Sequence, residues 1–115
     1  MTHQAPPAPA TSSADPGRQL TQLREALRLV DRIAGRRDHA SDSALDEAAR
    51  VSSAYDRALP IVQRRFDALA GETAVWVAAG VEALIAAGDA APRAAALRLA
   101  QAIEASLREL ADLLE

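Results

Sequence analysis

Leu20, Leu23, Leu27, Val30 and Ala34 are spaced three, four, three and four residues apart, with charged and polar residues between them. That alternation is the seam of an amphipathic helix, predicted here over about residues 18–37. At 100° per residue, Ala26, Leu29 and Ile33 widen the seam to an arc of about 180°, so this helix is expected to touch two neighbours. A second seam, Leu45, Ala48, Ser52, Tyr55, Leu59, Val62, Phe66 and Leu69, predicts a helix over about 43–70. Ser41 or Ser43 can cap its start, and Asp46 and Glu47 favour its positive end. Pro60 lies inside it, cannot donate to the carbonyl of Asp56, and would cost roughly 3 kcal/mol in a straight helix. Because Leu59 makes a poor cap and the seam crosses Pro60 in phase, a kink at 56–60 is expected rather than a break.

Gly71 suits the left-handed end of that helix, and the chain is expected to restart over 73–87, where Glu82 is the only ionisable group. At about 16 residues this third helix is too short to span a bilayer and too apolar to lie on a surface, which predicts the buried element of the fold. Gly88 closes it, and Pro92 suits the first turn of a fourth helix over about 91–115, with the seam Ala96, Ala100, Ile103, Leu107, Leu110 and Leu114. No sustained polar and apolar alternation marks a strand. The expected fold is all-α, an antiparallel four-helix bundle with short loops. Residues 1–17 hold Pro6, Pro7, Pro9 and Pro16 among Ala, Ser and Thr, and are expected to form a disordered tail because they offer too little apolar surface to offset the entropy of ordering them.

Composition narrows the function more than it assigns one. Half of the 115 residues are hydrophobic, but 29 are alanine and only three are aromatic; all 13 basic residues are arginine, as a GC-rich genome would favour. With no cysteine there is no thiolate nucleophile or thiolate metal site. The start lacks the basic and apolar segments of a secretory signal, and no apolar stretch of spanning length is expected, which makes a cytoplasmic location the default. His39, with Asp38 and Asp42 close by, is too small a ligand set for a structural metal site, and His3 lies in the tail. No glycine-rich elbow surrounds Ser52, Ser53 or Ser106, and the five glycines are isolated, so hydrolase triads and phosphate loops have no foothold. No catalytic residue, cofactor or metal is expected.

Charge is distributed unevenly. Residues 18–37 carry six arginines against Glu25 and Asp31, whereas residues 71–115 carry seven acids against three arginines. Arg24, Arg28, Arg32 and Arg36 advance by 40° per step and stay on one face opposite the leucine seam, where a protein partner could dock. The reading favoured over docking is that they pair with acids of a neighbouring helix or a second subunit, such as Glu104, Glu109 and Asp112. Nucleic acid is not expected, because the net charge is −3 and Tyr55, Phe66 and Trp76 lie on apolar faces.

On the third helix Ala79, Ala83 and Ala87 repeat every four residues beside Gly80, a pattern that lets helices approach closely. Together with Trp76 as an anchor they form the expected interface of a homodimer, the alternative being packing within the chain. The opening Leu20-x-x-Leu23-Arg24-Glu25-x-Leu27-x-x-Val30-Asp31 is similar to the first helix of the all-α chorismate mutases, and that resemblance implies arginines clamping a dicarboxylate, here without the lysine that family also uses. The reading these features favour is a non-enzymatic, self-associating helical interaction module that presents a charged face to a protein partner. Contact with a membrane surface is expected less. The alternative is a bundle that binds, or acts simply on, a small anionic metabolite through two or more of Arg24, Arg28, Arg50, Arg57 and Arg64 converging on a cavity.

Overall fold

The computed structural model of the chain describes residues 15–36, 44–90 and 92–115. They form an antiparallel four-helix bundle: α1 (Pro16–Ala34), α2 (Ala44–Arg57), α3 (Pro60–Ala87) and α4 (Arg93–Leu113), with a 3-10 turn at Gly88–Ala90 between the last two. No strand occurs among the described residues. The expected tail falls outside them for residues 1–14, as do the expected caps Ser41 and Ser43 and the cluster around His39.

α1 starts two residues earlier than the seam suggested. The Asp15 carboxylate accepts the Arg18 backbone N–H at 3.1 Å, Pro16 takes the first helical position where no donor is needed, and both Pro16 and Gly17 are buried. Gly17 marks the crossing with α2: a Cβ built on it would lie 2.7 Å from Ser52 Oγ and 3.3 Å from the Ala48 carbonyl oxygen. At the other end Gly35, with φ 78°, takes the left-handed conformation that ends α1.

The core forms where the seams of α1 and α4 meet. Leu20, Leu23, Leu27 and Val30 of α1 are buried with Ala96, Ala100, Ile103, Leu107 and Leu110 of α4, and Phe66, Ala70, Val77 and Leu84 of α3 complete the cluster. α1 packs against each of the other three helices and most extensively against α4, one neighbour more than its apolar arc predicted. α2 comes close to α1 at Gly17, and its Val51 and Tyr55 pack against the core from that side.

The middle of the chain departs from expectation in two linked ways. Pro60 does not kink a long helix; it ends α2 and opens α3. Leu59 is extended (φ −65°, ψ 149°), as the residue before a proline prefers, and is left 68% exposed outside any seam. In place of a side-chain cap, the corner is closed by Gln63, whose side-chain amide donates to the Tyr55 carbonyl at 2.7 Å, and by the Tyr55 hydroxyl donating to Asp67 at 2.9 Å. The Tyr55 and Phe66 rings pack edge to face, centroids 5.6 Å apart, across the same corner.

Conversely, Gly71 does not end a helix. α3 runs through it for 28 residues, because a glycine in a helix interior costs about 1 kcal/mol, whereas an interior proline loses a hydrogen bond and clashes, costing about 3. The buried stripe Phe66, Ala70, Thr73 and Val77 spans the glycine and holds the helix continuous.

α3 is not the buried element either. One stripe of it packs inward, while Val75 is 72% and Ile85 61% exposed, and Glu82 lies in solvent. With the break moved to residues 58–59, Pro60–Ala90 is long and apolar enough to cross a membrane by length and composition, contrary to the expectation that no such stretch exists; only 22% of its most apolar window is buried within the bundle. Gly88 then ends α3 as expected, with φ 57°.

Candidate functional site

The arginine row of α1 lies on its outer side, but three of its members are engaged within the chain. Arg24 grips Glu47 of α2 with both ends of its guanidinium, Nε to Oε1 at 2.9 Å and Nη2 to Oε2 at 2.7 Å. Arg36 lies just past the left-handed Gly35, so the chain turns back and its backbone N–H donates to the Asp31 carbonyl at 2.8 Å. Its Nε then donates to the Asp31 carboxylate and its Nη2 to Glu104 of α4, each at 2.8 Å. These bonds, the one to Glu104 foremost, raise the Arg36 pKa further above its ordinary value. Asp31 is only 6% exposed, so Arg36 neutralises a buried acid at the junction of α1 and α4.

The row therefore works largely as a set of struts, with α2 supplying one acid and α4 another. Glu104 was among the expected acids; Glu47 was not, although its place in the first turn of α2, beside the crossing at Gly17, brings it opposite Arg24. Arg28 is half buried and also interacts within the chain, and Arg32 is exposed. Arg24, where the resemblance to a dicarboxylate clamp would need a free guanidinium, is held by Glu47.

Two other arginines come together where spacing alone suggested a binding role. Arg50 and Arg57, two turns apart on α2, line an open groove of about 430 Å³ with Ala49, Ser53 and Ala54. A smaller recess of about 220 Å³, lined by Arg50, Val51 and Ala54 of α2 with Ala111, Leu114 and Glu115, adjoins the end of α4. Arg24 and Arg64 do not reach the groove. Among the described residues no group of three metal-binding side chains occurs.

The residues expected to form an oligomer interface divide between two environments. Trp76 is half buried and packs on the core, and Gly80 faces α4, where a Cβ would meet Leu99 Cδ2 at 2.8 Å. The close approach that justifies a glycine at 80 is thus made within the chain. Ala79, Ala83 and Ala87 remain exposed, and beside them the side of α3 turned away from the bundle is lined by Ile61, Val75 and Ile85. That face could not be phased from the sequence, because α3 is apolar on nearly every side; the phase comes from which stripe the other helices bury.

Compared with family models, curated proteins and solved structures, the chain matches none. Its functional reading therefore rests on these surfaces.

Proposed function

We propose that this chain is a non-enzymatic helical interaction module of the cytoplasm that associates with itself and offers its charged outer faces to a protein partner. The observation that supports this reading is the outer side of α3: a helix apolar enough for a core has most of that surface outside the fold, with Val75 and Ile85 the most exposed of its large side chains. An apolar face of this length on a small domain marks a contact surface, since burying it recovers about 25 cal/mol per Å². The exposed Arg32 and the Arg50/Arg57 groove leave positive charge available to an acidic partner. The test is the solution mass of the full chain by light scattering over a wide concentration range. A mass rising to that of a dimer is expected; a monomer at every concentration overturns the reading.

A second reading is supported by the groove itself. Arg50, Arg57 and the Ser53 hydroxyl suit a small dicarboxylate or phosphate. Such a ligand would raise Tm in the natural chain and not in Arg57→Ala, and an unchanged Tm with millimolar dicarboxylate and phosphate overturns it.

A further inference from the structure

Along the outer side of α3 runs a second seam, distinct from the one that packs inward. Ile61, Arg64, Ala68, Gly71, Val75, Ala78, Glu82 and Ile85 follow one another in steps of three, four, three, four, three, four and three, and every one of them is exposed. At 1.5 Å per residue this seam is about 36 Å long. Its step order is the same read in either direction, so an antiparallel copy can meet it layer for layer.

Its chemistry also matches on reversal. With a two-fold axis passing over Thr73, Ile61 meets the partner's Ile85, Arg64 meets the partner's Glu82, Ala68 meets the partner's Ala78, and Gly71 meets the partner's Val75. Apolar contacts close both ends, an ion pair lies inside each, and the centre is small. Gly71 provides the hole for the Val75 knob, since a Cβ built on it meets nothing within 4 Å. Alanine and glycine on both sides of the axis let the helix axes come to the near end of the usual range, about 8 Å. Neither Arg64 nor Glu82 makes an ion pair among the described residues, so both are available. In a parallel pairing Arg64 would face Arg64 and Glu82 would face Glu82, and the charges would repel.

We propose that the outer seam of α3 is the surface on which two copies of this chain pair, antiparallel and in this register. The proposal rests on the self-association reading above and adds where the copies meet and which residues oppose each other. The flank of α3 that carries Trp76 and Gly80 stays within each bundle.

The charge pair gives the first test. Arg64→Glu enters the dimer twice and turns both ion pairs into acid–acid contacts, so it is expected to weaken dimerisation by about tenfold or more, as Glu82→Arg should. The double variant Arg64→Glu with Glu82→Arg restores the pairs in reverse and is expected to regain the natural affinity to within a few-fold. Both positions are exposed, and circular dichroism is expected to show unchanged helix content.

The register is tested by cross-linking, for which the absence of native cysteine removes any background. Ala68→Cys mixed with Ala78→Cys is expected to oxidise to a disulfide-linked pair, and Ala68→Cys alone is not, because its two copies would be about 15 Å apart along the axis. A dimer that ignores the charge reversals, or that cross-links through Ala68→Cys alone, overturns this proposal and leaves self-association standing. A chain monomeric at all concentrations overturns both. A monomer that co-sediments with vesicles of phosphatidylcholine and phosphatidylglycerol also overturns both, and assigns the face to lipid.

Discussion

α1 and α3 exchange the roles that their compositions suggest. α1 carries arginines along one whole face and is nevertheless the helix that all the others pack against; α3, nearly uncharged beyond its first two turns, sits at the side with one long face open. The difference lies in how each meets its neighbours. α1 has a fully occupied apolar side, and the helices that flank its polar side supply Glu47 and Glu104, so its charges become cross-ties between elements. α3 has more apolar surface than one stripe of contacts can use. A helix's average character therefore does not place it in a fold; its central position comes from having complementary groups on several sides at once.

The comparison breaks most plainly if core truncations cost the same on both helices. Leu23→Ala on α1, buried against α4, is expected to lower stability by about 3 kcal/mol, whereas Val75→Ala on the open face of α3 should change it by less than about 0.5. Urea denaturation at concentrations below self-association measures both. Next in size is the polar tie: Arg36→Ala leaves Asp31 buried without its cation and is expected to cost about 2 kcal/mol, a figure held down by the partial exposure of Arg36 and Glu104. Were that variant as stable as the natural chain, the cross-tie account of α1 would fail.

On α3 the sign should reverse. Gly71→Ala fills open space in a helix interior and is expected to stabilise the monomer by up to about 1 kcal/mol, read as a rise in the urea midpoint. Thr73→Val, which removes a fully buried hydroxyl that makes no hydrogen bond, is expected to be neutral or slightly stabilising on the same measurement.

The smallest effect tests the corner that sets where α3 begins. Burial, and then the hydrogen bond to Asp67, hold the Tyr55 pKa above 10. In the unfolded chain the phenol ionises near 10, so the contribution of this group is complete below that pH and is lost as pH rises from there through the higher folded value. Natural chain and Tyr55→Phe should thus converge in stability above pH 10, and absorbance titration of the single tyrosine should give a midpoint above 10.

The seams of α1 and α4 were legible because each has a polar side that gives the apolar spacing a phase. Leu20 to Val30 and Ala96 to Leu110 lie in the core as read. α3 lacked that contrast, so neither its inner stripe nor its outer one could be chosen from spacing alone. The placement of the break failed for a different reason: Leu59 was judged as a cap by its side chain, whereas its backbone carbonyl accepts the N–H groups of Val62 and Gln63, and the Gln63 side chain donates to the Tyr55 carbonyl at the end of α2. Of the ties of the arginine row, Glu104 was legible as one of several acids on the last helix, but neither its pairing with Arg36, 68 residues away, nor Glu47, 23 residues from Arg24, could be singled out. Helical projection gives the direction a side chain takes, and it carries no information about which distant segment arrives there.

That last separation also bears on the order in which the molecule can be assembled. The helix at the centre of the bundle is made first, and the one that covers it most extensively is made last. Until α4 has been synthesised, Leu20, Leu23, Leu27 and Val30 have only α2 and the inner stripe of α3 to cover them, and Asp31 and Arg36 have no Glu104. Completion of the core therefore waits on the final helix, and a nascent chain halted before Arg93 would display both the leucine seam of α1 and the apolar outside of α3, the combination most open to chaperone capture and to aggregation.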